Sequence, residues 1–146
     1  MTKFIFLAAF CGLLSGCVSA NMHTYGTPDA SEHSVTVPPG GGLTAEIKEV
    51  FKRNGWTMVV DRGPQVMEGS SGTNTHLEKY DTFNTRYRLM MNYSQFDICL
   101  GHMDGAYNYD MSFVDNKTGE ELMAMGGRAC QSQILDKLQQ FLSSSK

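Results

Sequence analysis

The chain has 146 residues, with 12 basic and 15 acidic side chains, a formal net charge of −3 and a hydrophobic fraction of 41%. That is enough apolar material for one domain with a core of its own. The charge is mildly acidic and spread along the chain, which excludes the clustered basic footprint of a nucleic-acid binder and leaves no polybasic patch for anionic lipid.

In chain order, Met1-Thr2-Lys3 is a short positive segment, Phe4 to Leu14 an apolar run, and Ser15-Gly16 a small pair ahead of Cys17. This is the layout of a secretory signal. The apolar run is too short to span a bilayer, which takes about 20 residues. With Leu14-Ser15-Gly16-Cys17 as a lipobox, the segment resembles a bacterial lipoprotein leader. The resemblance implies cleavage before Cys17, a diacylglycerol on its sulfur and a further acyl chain, such as palmitate, on the new amino group. Two chains already anchor stably. By the enterobacterial sorting pattern, Val18 in place of an aspartate implies the outer membrane, with the domain facing the periplasm. The expected division is a leader over 1–16, a lipidated flexible tether over 17–42 and an α+β domain over 43–146. Loss of Lys3 with the leader takes the net charge from −3 to −4.

The cysteines follow from that division. Cys11 leaves with the leader and Cys17 takes lipid, so Cys99 and Cys130 remain, a single pair in a compartment that oxidises thiols. They are expected to form a disulfide, which the chain-entropy picture values at roughly 3.5–4 kcal/mol.

Residues 18–42 have few large apolar side chains and end in Pro38-Pro39-Gly40-Gly41-Gly42, a strong breaker. Val35-Thr36-Val37 is the one piece of this stretch suited to an edge strand. A helix is expected from an N-cap at Thr44, with Leu43, Ile47, Val50 and Phe51 on one stripe and Asn54-Gly55 as its stop. Trp56 to Asp61 reads as a strand. Residues 62–83 read as a long loop, with a short return strand at Gln65 to Glu68. Asn84 to Tyr93 alternates as a strand, with Phe96 to Leu100 extending or bending it. Ala106 to Val114 places Tyr107, Tyr109, Met111 and Phe113 inward. Asp115 to Gly119 is a hairpin turn, Glu121 to Met125 returns antiparallel, and Gly126-Gly127 closes the sheet. A last helix runs from about Gln131 to Leu142. The order predicts an α+β fold, an antiparallel sheet of four to five strands with an N-terminal and a C-terminal helix packed on one face.

The chemistry-bearing residues form no recognisable catalytic set. His102 and Asp104 offer metal-type ligands but read as a polar turn. Ser70-Ser71 lies in a glycine-rich loop without the Gly-x-Ser-x-Gly nucleophile pattern. The domain methionines fall mostly at inward strand positions and read as core. No cofactor, metal or enzymatic activity is expected. Arg86 and Arg88 share a strand face with Asn92, and if the helices cover the other face this one is open to a partner. The element order of the domain resembles small periplasmic lipoprotein families over roughly residues 43–142. That likeness implies a non-enzymatic accessory, assembly or binding factor of the cell envelope, docking on an envelope protein or cell-wall glycan. The alternative is a periplasmic inhibitor or ligand-binding lipoprotein, for example against a lytic enzyme.

Overall fold

The structure, a computed structural model, describes residues 19–63, 65–66, 78–79 and 85–144. The leader, Cys17, Ser70-Ser71 and Asn84 lie outside the described residues. In chain order the elements are β1 (Ser19–Thr24), β2 (Ser34–Val37), α1 (Leu43–Arg53), β3 (Thr57–Val60), β4 (Gln65–Val66), β5 (Glu78–Lys79), β6 (Tyr87–Cys99), β7 (Asp104–Asp115), β8 (Glu121–Cys130) and α2 (Gln131–Ser143).

The fold is α+β, but the sheet is larger than expected and only partly antiparallel. Six strands run in the order β1-β8-β7-β6-β2-β3, and β4 pairs with β5 in a separate ladder. Strands β1, β8, β7 and β6 are successively antiparallel, whereas β2 lies parallel to both β6 and β3. The parallel part has a direct cause. β2, α1 and β3 follow one another as strand, helix and strand, and a helical crossover returns the chain in the same direction.

The tether expected over 17–42 is therefore corrected: two of its segments are strands of the sheet. β2 is not an edge strand either, because it sits between β6 and β3. Val35, Thr36 and Val37 are all buried, as befits a strand covered on both faces. β1 is hard to recognise from its residues because only Ala20 and Met22 turn toward the core. Its order comes from pairing with β8, continued by the Tyr25 N–H donating to the Leu122 carbonyl at 2.9 Å.

The core lies on one face of the sheet, beneath both helices. Phe113 of β7 stacks on Phe51 of α1 and on Tyr87 of β6, and meets Phe141 of α2 edge-on at 5.4 Å. Trp56 fills the space between Phe51, Tyr87 and Phe113 with edge contacts of 5.5–5.7 Å. Asn54 and Gln139 exchange amide hydrogen bonds of 2.8 and 2.9 Å and tie α1 to α2. The N-cap of helix α1 lies two residues earlier than expected. Gly42 is its N-cap, and Thr44 is buried, donating to the Tyr93 hydroxyl at 3.2 Å.

The middle strands are longer than expected. β6 passes through Ser94 and Gln95 with a bulge and continues to Cys99. Gly126-Gly127 does not close the sheet. Both pair inside β8, with Gly126 opposite Asp110 and Gly127 opposite Tyr109. The inward side chains of β7 are as expected, with Tyr107, Tyr109, Met111 and Phe113 all buried. Among the described residues no helix is long and apolar enough to cross a membrane.

Candidate functional site

The face of the sheet opposite the helices carries the candidate surface, and strand alternation decides what it presents. On β6, Arg88, Met90, Asn92 and Ser94 point away from the core. The register extends each into a row across the sheet. Asn92 lies opposite Asp110, Asp110 opposite Gly126 and Gly126 opposite Asn21. Met90, Ser112, Ala124 and His23 form the next row, and Ser94, Asn108 and Arg128 belong to the one beyond. Half of these residues are asparagine, serine or glycine, so the face is rich in donors and acceptors. Gly126 keeps the Asp110 carboxylate uncovered, since a Cβ there would lie 3.3 Å from its Oδ1.

Of the three residues expected on a partner surface, Arg88 and Asn92 are there and exposed. Arg88 is half-exposed and paired with Asp61 of the loop after β3. The Gly63 N–H, together with Arg88, holds the Asp61 carboxyl below its usual range against the opposing effect of burial.

Arg86 is different. It precedes β6, and its side chain keeps only 15% of its surface exposed. Its Nε and Nη2 donate to Asp115 Oδ2 at 3.1 and 2.7 Å, while Nη1 donates to Glu32 Oε2 at 3.1 Å. The hydrogen bond with Asp115, reinforced by Glu32, pushes its pKa above the ordinary arginine value. Burial alone would raise the Asp115 carboxyl, but the Arg86 guanidinium and the N–H groups of Lys117 and Thr118 outweigh it and hold it low. Arg86 is therefore an internal clamp between the loop before β2, the start of β6 and the end of β7. The partner role expected for it is corrected.

Cys99 and Cys130 form the expected disulfide, with Cα atoms 5.9 Å apart, joining the end of β6 to the start of α2. The Asp104 carboxylate lies beside them, and the three ligand-type atoms fall within 4.8 Å of one another. The two sulfurs are bonded to each other, so this is not a thiolate set. Asp104 instead accepts the Ser132 N–H at 2.8 Å through Oδ2 and caps α2. His102 is exposed in the turn between β6 and β7.

The same hairpin carries four exposed apolar side chains. Phe96, Ile98 and Leu100 fall at alternate positions, and all three are exposed together with Met103. The signal was the alternation itself, an apolar series continuing past the point where β6 leaves the core. Phe96 is partly shielded by the Arg128 guanidinium, 4.2 Å from its ring centre.

The chain matches no protein-family model and no curated protein. Solved structures that it resembles include the PelC dodecamer from Paraburkholderia phytofirmans, at 8% identity and a TM-score of 0.49, covering 87% of this chain and 95% of that one. The L103M variant of the same dodecamer aligns at 10% identity and a TM-score of 0.44, over 87% and 94% of the two chains.

Proposed function

We propose that this chain is an outer-membrane lipoprotein, anchored through Cys17 and facing the periplasm, that acts as a non-enzymatic accessory or assembly factor by docking an envelope protein on its open sheet face. The observation that supports the binding role most is the composition of that face. Asn21, Asn92, Asn108, Ser94 and Asp110 form registered rows of short polar side chains, flanked by Arg88, Met90 and Arg128. Such a surface makes adaptable hydrogen bonds to a polar partner. A protein is favoured over a cell-wall glycan because, among the described residues, the one phenyl ring at this face, Phe96, is already stacked with Arg128.

The test is photocrosslinking in intact cells, with the crosslinker placed at Asn92 and, as a control, at Glu46 on the outer side of α1. A discrete protein adduct from Asn92 alone supports the reading. Labelling of glycan, or equal labelling from both positions, contradicts it.

A further inference from the structure

We propose that the turn of the β6–β7 hairpin is a second membrane contact, with Ile98, Leu100 and Met103 dipping into the lipid surface beside the acyl chains of Cys17. The proposal rests on the lipoprotein reading of Cys17 and adds to it an orientation of the domain.

The first observation is the exposure. Leu100 is 85% exposed, Met103 79% and Ile98 56%, within six consecutive residues of one hairpin. Exposed apolar side chains scattered singly need no explanation, but a cluster at the tip of an ordered element marks a contact. Tyr25 and Val60, also exposed, are outside it.

The second observation is where the N-terminal chain leaves the sheet. Ser19 pairs with Arg128, which pairs with Asn108. β8 runs from that row toward Cys130 and the hairpin turn, and β1 runs antiparallel to β8. Moving from Ser19 back toward the N-terminus therefore leads to the end of the sheet that carries the turn. Cys17 precedes Ser19 by two residues in the sequence, and two residues of extended chain reach about 7 Å at most. β1 and β7 are separated by β8 alone, which places them about 10 Å apart across the sheet. The start of β1 and the apolar tip thus share one end of the sheet.

The tip is also held in place. The Cys99–Cys130 disulfide and the Asp104 cap on Ser132 fasten its base to α2. Gly105 lets Tyr107 fold back over the backbone, since a Cβ at Gly105 would come within 2.5 Å of the Tyr107 ring. A preformed wedge loses little freedom on insertion. The charged neighbours, Asp97, Asp104 and Arg128, form no basic cluster. Lipid contact at the tip is then apolar and insensitive to salt. Seated on both contacts, the strands stand along the membrane normal and the open face looks sideways, along the plane in which an envelope partner lies.

The test uses the acylated mature protein reconstituted in phosphatidylcholine vesicles, with or without bromine on the acyl chains. Leu100→Trp and Met103→Trp are compared with Tyr25→Trp, at the opposite end of the sheet, against the constant background of buried Trp56. Bromine should quench the emission of both tip variants about twofold, as expected for side chains 5–10 Å into the interface, and leave Tyr25→Trp at the wild-type level. Vesicle flotation and the intact mass of Cys17 read the anchor separately. Acylated protein that floats while its tip tryptophans stay unquenched overturns the hairpin contact and leaves the anchor standing, and crosslinking of tip to tip between two copies has the same meaning. Quenched tips on a chain with unmodified Cys17 overturn the lipidation and leave the hairpin contact standing.

Discussion

Arg86 and Asp115, 29 residues apart in the chain, meet through two guanidinium nitrogens on a single carboxylate oxygen, and Glu32 takes a third donor. This pairing decides how the candidate surface must be probed, because it removes Arg86 from the set of side chains free to meet a partner.

Asp115→Ala breaks the clamp and also uncaps the turn, since Asp115 Oδ1 accepts the Lys117 N–H at 2.8 Å. The expected result is a loss of Tm on the order of 5–10 °C by circular dichroism. Arg86→Glu is expected to do the same, leaving the Asp115 carboxylate buried beside a like charge.

The same pair sets an acid limit. The Asp115 carboxyl is held below its ordinary value of 3.8, so the unfolded chain takes up the proton first as pH falls. The stability it contributes is fully present above pH 3.8. It drains away below that, through the lower folded-state value. A denaturant midpoint measured from pH 6 down to 2.5 should fall more steeply below pH 4 in the wild type than in Asp115→Asn.

Reduction of the Cys99–Cys130 disulfide, 31 residues apart in sequence, should lower unfolding free energy by about 3–4 kcal/mol. Urea unfolding with and without reductant checks this. The β7–β8 core should survive, because Phe113, Met123 and Met125 lie away from the bridge at the heart of the cluster.

Phe113→Ala is expected to cost about 3–5 kcal/mol, because its ring contacts Phe51, Trp56, Tyr87 and Phe141 and is fully buried. Chemical denaturation reads it directly.

On the open face, with the crosslinker kept at Asn92, Arg88→Glu with Asn108→Lys should remove partner crosslinking while moving Tm by no more than about 2 °C. An unchanged adduct would rule out this part of the face as the docking surface.

How far the sequence reaches is clear from particular elements. β7 is legible because four large side chains alternate without interruption, and α1 because its apolar stripe ends at Asn54-Gly55, with Gly55 in the left-handed region at φ 77°. The disulfide is legible from the cysteine count together with the compartment the leader implies. β1 is not, and β2 is legible as a short strand but not in its interior place, because strands of 6 and 4 residues beside proline and glycine take their order from distant partners, Met123 to Arg128 for the one and Tyr87-Arg88 for the other. Alternation likewise assigns Arg86 to a face with Arg88 but carries no information about Asp115, which only the register of β6 on β7 brings alongside. Gly126-Gly127 reads as a breaker, yet in the sheet it gives room to Asp110.

The proposed anchor, and the orientation it would give the hairpin tip and the open face, depend on where the mature chain begins. Intact-mass and N-terminal peptide mass spectrometry of the protein taken from native membranes tests that most directly. The expected result is a first residue at Cys17 carrying a diacylglycerol thioether and an amide-linked acyl chain. A mature chain that starts elsewhere, or that starts at Cys17 with an unmodified thiol, would contradict the account.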